Sequence, residues 1–199
     1  RKVILKAFQK NKNLNVIAFS ALRKPEKNIF GKNIIFYPNW KKMVNNKYID
    51  AVVIASPPHT QKSLAYYSIK KNKHIFCEKP FTESFLKAKK LSSLLKKNKI
   101  ANIVNYIFPE IDTWKILKKK LSKEKIVERI YLKWEIKSKF KKKGWKYKHS
   151  QGGGVLYNFA CHSIYYLEHL FGKINCLNSE IFYKNKNFPY RLKSIFYFL

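Results

Sequence analysis

The chain has 199 residues, of which 46% are apolar, so it can bury a core in one large domain or two small ones. No apolar run reaches the roughly 18 residues that a membrane-spanning helix requires, and no signal peptide is visible, so we predict no membrane partner. Lys and Arg number 43 against 11 Asp and Glu, which gives a formal net charge of +32.

This positive charge permits two interpretations. A strongly basic chain can bind nucleic acid or another polyanion. However, 39 of the 43 basic residues are lysine, spread over the whole chain, whereas phosphate and base readers favour the forked guanidinium of arginine. We therefore interpret the charge as a solvated lysine surface that reflects compositional drift, and we predict no specific nucleic-acid partner.

Three cysteines, Cys77, Cys161 and Cys176, show no C-x-x-C spacing and leave an odd count. This pattern suits reduced thiols rather than a disulfide framework. We therefore predict a cytoplasmic protein, and we predict no metal site.

The first part of the chain is predicted to alternate helices and strands. An amphipathic helix is expected over residues 2–10, a strand over 15–19, and a second strand near 34–37 that a helix follows. The basic pair Arg23 and Lys24 comes shortly after the first of these strands.

The central stretch, 49–82, predicts a parallel crossover. A five-residue apolar run, Ala51 to Ala55, predicts a strand covered on both faces, and a turn at Ser56-Pro57-Pro58 leads into a helix from about Thr60. A second strand, 74–77, ends in Glu78-Lys79-Pro80. Because parallel crossovers are right-handed, both strand ends point to the same edge of the sheet, where ligands bind.

The remaining elements divide the chain into two predicted domains. A helix that Thr82 caps and that ends near Asn98 leads to a last parallel strand at 100–104. Further on we expect a helix over 112–121, an alternating strand over 127–136 and a strand from Ile181. We therefore predict a Rossmann-like α/β domain over residues 1–104 and an α+β domain with a mixed or antiparallel sheet over 105–199.

A polar stripe marks the segment that follows Gly152. At 100° per residue, a helix brings Asn158, His162, Tyr165 and His169 within about 60° of one another. Apolar residues gather on the opposite side, namely Leu156, Phe159, Leu167, Leu170 and Phe171. The stripe is either a solvated face or one wall of a cleft, and the lack of lysine in it favours the cleft.

Two sequence blocks resemble the Gfo/Idh/MocA family of NAD(P)-dependent oxidoreductases. The first is AVVIASPPHT followed by CEKP, and the second runs from Gly152-Gly153-Gly154 through His162 to Gly172. The resemblance implies hydride transfer between a nicotinamide cofactor and a hydroxyl or keto group of a sugar or polyol derivative. It also implies a cis peptide bond before Pro80.

The resemblance supplies the expected site residues. Lys79 and His162 are expected to carry protons, because a desolvated lysine and a histidine titrate in a suitable range. The residues expected at the substrate are Asn158, Tyr165 and Tyr106. Those expected at the cofactor are Ser56, Pro57, His59, Glu78, Lys79 and Arg23. Since no acid accompanies Arg23, NADP is preferred over NAD. A homo-oligomer is expected.

The chain also departs from the family pattern. Asn158 and Tyr165 stand where the family usually has Asp, and no G-x-G-x-x-G occurs. We therefore expect truncation at both ends and weak dinucleotide binding by these 199 residues alone. Two alternatives stay open: a catalytically silent relative that binds a ligand or regulates a partner, and a basic nucleic-acid-binding protein.

Overall fold

Short parallel strands and helices alternate through the first half of the chain. The computed structural model describes residues 2–25, 33–123, 130–135, 144–185 and 188–198. The helices of this half are α1 (Lys2–Lys10), α2 (Trp40–Val44), α3 (Pro58–Lys70) and α4 (Phe85–Lys97). Its strands are β1 (Ala18–Ser20), β2 (Ile35–Tyr37), β3 (Ala51–Ile54), β4 (His74–Glu78) and β5 (Asn102–Asn105).

All strand pairs in this half are parallel, as the sequence predicted. The strand β1 pairs with β2, and β3, β4 and β5 form a three-stranded sheet in that order. Each of the connections between β3, β4 and β5 contains a helix, which parallel neighbours require. The carboxyl ends of these three strands therefore lie side by side, and the Rossmann-like α/β prediction is confirmed.

The core lies between the three-stranded sheet and the helices α3 and α4. It includes Val52 and Ile54 from β3, Ile75 and Cys77 from β4, Ala65 and Ile69 from α3, and Leu91 and Leu95 from α4. Burial, followed by the charge of Glu78, raises the pKa of the Cys77 thiol to about 12. Cys77 is therefore a protonated core residue.

The prediction that β3 is covered on both faces is wrong for the described residues. Val52 and Ile54 are buried, whereas Val53 between them is 41% exposed. The reason is that α3 and α4 both cover the same side of the sheet, and on the other side α1 packs with Phe8 edge-on against Phe76 of β4.

The second half of the chain contains helices followed by a hairpin. The helices are α5 (Asp112–Leu121) and α6 (Cys161–Phe171), and a π-helical turn, Leu156–Ala160, leads directly into α6. The strands β6 (Ile174–Asn185) and β7 (Phe188–Phe198) pair in antiparallel fashion. The predicted antiparallel sheet is thus confirmed. Among the helices of the described ranges, none combines the length and the apolar character needed to cross a membrane.

Two local predictions fail. Residues 130–135 form no strand, and the rest of the predicted strand 127–136 lies outside the described residues. Trp134 packs instead against Phe108 and Phe159. Thr82 does not cap α4, because its Oγ1 accepts the Ser84 N–H at 3.2 Å and donates to the Ser84 carbonyl at 2.6 Å, so the helix begins later, at Phe85.

Two leucines of α4 provide a matched test of this core. Leu91 is 1% exposed and Leu86 is 67% exposed. We expect Leu91→Ala to lower the free energy of unfolding by about 2–5 kcal/mol, because it leaves a cavity, and Leu86→Ala to change it by less than about 0.5 kcal/mol. Urea denaturation followed by circular dichroism measures both. Equal losses for the two variants would contradict the assigned position of the core.

Candidate active site

The carboxyl ends of β3, β4 and β5 bring polar side chains to one edge of the sheet. Glu78 at the end of β4 is paired in register with Asn105 at the end of β5. The Asn105 Nδ2 donates a hydrogen bond to Glu78 Oε1 at 3.0 Å. This bond joins the ends of two neighbouring strands. Lys79 and Tyr106 are the residues that follow these two ends.

The turn after β3 is held by side chains of the helix that follows it. Thr60 Oγ1 donates to the Pro57 carbonyl oxygen at 2.8 Å, and the Ser56 hydroxyl, 2.9 Å away, donates to Thr60 Oγ1. The buried Gln61 donates through Nε2 to the Ser56 carbonyl at 2.9 Å. The predicted turn residues Ser56 and Pro57 therefore have a rigid backbone at the edge of the sheet.

The glycine block packs directly on this turn. Gly152 has a φ of +80°, and a Cβ added to it would lie 2.5 Å from the Cβ of Pro58. Nearby, His59 Nδ1 lies 3.3 Å from the Gln151 carbonyl oxygen. Glycine is thus required here both for its backbone conformation and for the close approach of the two halves of the chain.

Lys79 joins the sheet edge to the π turn. The peptide bond between Lys79 and Pro80 is cis, as the resemblance implied. The Nζ of Lys79 donates to the Asn158 carbonyl oxygen at 2.6 Å. Burial is the largest cause and lowers the pKa of Lys79, and the charge of Lys146 lowers it further. The charges of Cys161 and Glu78 raise it.

His162 lies at the start of α6 within a shell of aromatic rings. Its ring centroid is 5.8 Å from that of Tyr106, 5.5 Å from that of Phe108 and 6.0 Å from that of Trp134. Its Nδ1 lies 3.2 Å from the hydroxyl of Tyr166. Burial, followed by the positive charge of Lys79, lowers the pKa of His162 to about 4. The imidazole is therefore neutral at pH 7.

The structure brings Lys79, His162, Asn158, Tyr106 and Tyr165 together. The rings of Tyr106 and Tyr165 are stacked, with centroids 4.3 Å apart and an interplanar angle of 11°. Tyr165 is 37% exposed, so this stacked pair presents an edge to solvent beside the histidine. The amino group of Lys79, the neutral imidazole of His162 and the stacked tyrosines thus form one group of side chains.

Other predicted residues lie at the margin of this group or apart from it. The predicted stripe residue His169 faces α5, where its Nε2 lies 3.4 Å from Lys118 Nζ. Arg23 is exposed after β1, and no contact among the described residues links it to Lys79 or His162. The assumption of 100° per residue is wrong across Leu156–Ala160, because a π turn is wider than an α turn.

Sequence reasoning missed two members of the site. Tyr166 is 4% exposed and contacts His162, and burial raises its pKa. Cys161 donates through Sγ to the Tyr157 carbonyl at 3.1 Å, and burial raises the pKa of its thiol despite the opposing charge of Lys79. The spacing of four residues between His162 and Tyr166 is the signal that could have found the first; Cys161 gave no signal.

Comparisons with known proteins agree with the fold described above. Residues 1–106 match the model of an oxidoreductase family with an NAD-binding Rossmann fold, and residues 125–194 match the C-terminal α/β domain of the same family, Gfo/Idh/MocA. An uncharacterized oxidoreductase of Synechocystis is 27% identical over 150 residues, which are 73% of this chain and 40% of that protein. A levoglucosan dehydrogenase of Pseudarthrobacter phenanthrenivorans is 25% identical over 150 residues, which are 72% of this chain and 38% of that protein.

A solved structure extends the likeness to nearly the whole chain. The NAD-binding protein from Listeria innocua superposes with a TM-score of 0.79 at 18% identity, over 98% of this chain and 59% of its own. This likeness establishes the fold. The chain spans about 40% of the length of the two curated relatives.

A pair of mutant cycles tests the contact between the glycine block and the turn. Gly152→Ala introduces a Cβ against the Pro58 ring, and Pro58→Gly removes the atoms that this Cβ would meet. We expect the double variant to be more stable than the sum of the single effects by about 1 kcal/mol or more, measured by urea denaturation. Gly172 also has a positive φ, but nothing lies within 4 Å of an added Cβ, so a cycle of Gly172→Ala with Pro58→Gly should be additive. Additivity in both cycles would contradict the packing.

Proposed function

The chain belongs to the Gfo/Idh/MocA oxidoreductase family, and from that membership we propose an NAD(P)-dependent dehydrogenase or reductase. It transfers hydride between a nicotinamide cofactor and a hydroxyl or keto group of a sugar or polyol derivative. The observation that carries the proposal is that Lys79, at the carboxyl edge of a parallel sheet, binds the Asn158 carbonyl and lies close enough to His162 to lower its pKa. One relative, levoglucosan dehydrogenase, is named as a dehydrogenase as well.

The polar groups at this edge fit the nicotinamide end of the cofactor. Because Thr60 donates its one hydroxyl proton to the Pro57 carbonyl, the Ser56 hydroxyl donates to Thr60, and the Ser56 oxygen is left to accept a hydrogen bond from a ribose hydroxyl. Lys79 ends the neighbouring strand, and both stand where ligands of open parallel sheets bind. When bound, the cofactor accepts or supplies the hydride. The sequence has no G-x-G-x-x-G, so we assign no residue to the pyrophosphate.

We assign the remaining cofactor contacts to Pro57, His59, Glu78 and Arg23. Pro57 and His59 belong to the rigid turn after β3, and Glu78 is held in place by Asn105. Arg23 follows β1 without a neighbouring carboxylate, which favours the 2′-phosphate of NADP over the free hydroxyls of NAD.

We assign the proton-carrying roles to His162 and Lys79, and the surroundings lower the pKa of both groups. With its pKa lowered to about 4, His162 is neutral near pH 7. When its Nδ1–H donates to the Tyr166 oxygen, the lone pair on Nε2 is free to accept the proton of a substrate hydroxyl. Lys79, whose pKa burial lowers, donates a hydrogen bond to the same oxygen or exchanges a proton with it.

Three residues are assigned to the substrate. The Nδ2 of Asn158 is bound to backbone carbonyls, so its Oδ1 is left as an acceptor for a substrate hydroxyl. The stacked pair Tyr106 and Tyr165 offers an apolar face and two hydroxyl groups, which suit a ring with polar substituents.

We further propose a cytoplasmic homo-oligomer with no specific nucleic-acid partner. Cys77 and Cys161 are free thiols, and the excess charge is carried by lysine. The hairpin of β6 and β7 exposes Tyr190 at 53% and Ile195 at 51%, which supplies apolar surface for a second subunit.

Replacement of Lys79 tests the proposal directly. In the protein that contains these residues, Lys79→Ala should lower kcat/KM by at least about 100-fold, because general acid–base catalysis contributes a factor of that size or more. Turnover is measured spectrophotometrically with NADP or NAD and a panel of sugars and polyols. The exposed Lys62 of α3 is the control, and Lys62→Ala should match the wild type. A near-wild-type rate for Lys79→Ala removes Lys79 from the mechanism, and ligand binding without any turnover favours a silent relative.

The pH dependence of the oxidation reaction tests the role of His162. Since the pKa of His162 is lowered from 6.5 to about 4, the base form persists as pH falls and is lost only below about pH 4. We therefore expect kcat/KM to stay nearly constant from pH 7 to about pH 5 and then to decline through pH 4. Circular dichroism at each pH verifies that the protein remains folded. A decline centred near pH 6.5 would contradict the desolvated position of the imidazole.

A further inference from the structure

The side-chain amide of Asn158 faces two backbone carbonyl groups. Its Nδ2 donates to the Gly154 carbonyl at 2.9 Å and lies 3.5 Å from the Lys146 carbonyl oxygen. Both partners are acceptors, so the NH₂ group must face them. A carboxylate at this position has no proton to donate and would set negative oxygens against two carbonyl groups. The geometry therefore requires an amide rather than an acid.

The backbone of Asn158 has a different partner. The π turn, Leu156–Ala160, closes with a hydrogen bond from the Cys161 N–H to the Leu156 carbonyl, five residues earlier. A π turn displaces its carbonyl groups from the α-helical pattern, and such turns are frequent at functional sites. In this turn the Asn158 carbonyl oxygen receives the Lys79 ammonium at 2.6 Å.

We propose that Asn158 is a positioning residue for Lys79. Its amide holds the π turn against the Gly154 and Lys146 carbonyls, and the carbonyl oxygen that the turn presents fixes the Lys79 ammonium in the cleft. The proposal rests on the proposed function of Lys79 as a proton carrier. It also explains why asparagine stands where the family usually has an acid: the position acts here through its donors and its backbone.

The contact has a consequence for the protonation of Lys79. A carbonyl acceptor favours the ammonium over the neutral amine, so it opposes the effect of burial on the pKa. The titratable groups that act on Lys79 are Glu78 beside it on the strand, Cys161 and His162 from α6, and Lys146. A weaker Asn158 acceptor leaves these groups in place and should lower the pKa of Lys79.

An amide-to-ester substitution isolates the Asn158 carbonyl. Replacing Phe159 by phenyllactic acid keeps the side chain and converts the Asn158 carbonyl into an ester carbonyl, which is a weaker acceptor. The pKa of Lys79 is measured by competitive acetylation over a pH series with mass spectrometry, which requires no turnover. We expect it to fall by about half a unit to one unit, because an ester carbonyl loses about half of the strength of a hydrogen bond to a charged group.

A matched ester controls for the lost helical N–H. Replacing Tyr166 by 4-hydroxyphenyllactic acid weakens the Tyr165 carbonyl within α6, and in the described part of the chain no hydrogen bond joins that carbonyl to Lys79. This variant should leave the pKa of Lys79 unchanged. An equal fall in both esters, or no fall in the Phe159 ester, overturns the proposal.

Asn158→Leu tests the amide itself. Leucine preserves the approximate size but cannot bind the Gly154 and Lys146 carbonyls, so the turn loosens and the pKa of Lys79 should fall as in the Phe159 ester. The limb of the kcat/KM profile that belongs to Lys79 should move by the same amount. An unchanged Lys79 pKa in Asn158→Leu overturns the role of the amide. If the pKa falls but no substrate is turned over, the positioning contact stands and the proposed oxidoreductase function fails.

Discussion

The contact between the Lys79 ammonium and the Asn158 carbonyl is the interaction on which the rest of the site depends. It joins the end of β4 to the π turn that precedes α6, at an N–O distance of 2.6 Å. A cation that loses much of its hydration requires a polar partner, and a charge-assisted hydrogen bond supplies one. The two halves of the chain are therefore joined at the point where the proposed chemistry takes place.

Steric fit around the glycine block makes this contact possible. Gly152 approaches Pro58 more closely than any residue with a Cβ could, and the Tyr157 hydroxyl donates to the Glu83 carbonyl at 2.7 Å. In the first half of the chain these contacts lie on either side of Lys79. The position of α6 against the sheet edge is thus set by residues that precede the helix, and the side chains of α6, His162 among them, do not take part in these contacts.

Much of this arrangement follows from patterns that the sequence contains. The bounds of α1 and the parallel crossover are visible as apolar periodicity between turn residues. The alternation over 127–136 predicts an antiparallel sheet, but in the described residues that sheet is formed by β6 and β7. The π turn is not visible in the sequence, because a widened turn depends on which carbonyl groups find donors elsewhere in the fold, and here one donor is Lys79. The failed capping of α4 by Thr82 has a different origin, since a hydroxyl that can close a local turn competes with the cap. A tertiary contact thus accounts for the first case and a local hydrogen bond for the second.

Positions 158 and 165 carry Asn and Tyr, so the proposed proton transfers use no carboxylate at either position. A carboxylate beside a histidine would raise the pKa of the imidazole and orient the ring. Here burial and Lys79 lower the pKa of His162 to about 4, and the Tyr166 hydroxyl contacts Nδ1. In the proposed mechanism, the neutral imidazole, oriented by tyrosine, accepts a proton from the substrate oxygen to which Lys79, held by a carbonyl, donates a hydrogen bond. Neither of these two roles uses a carboxylate.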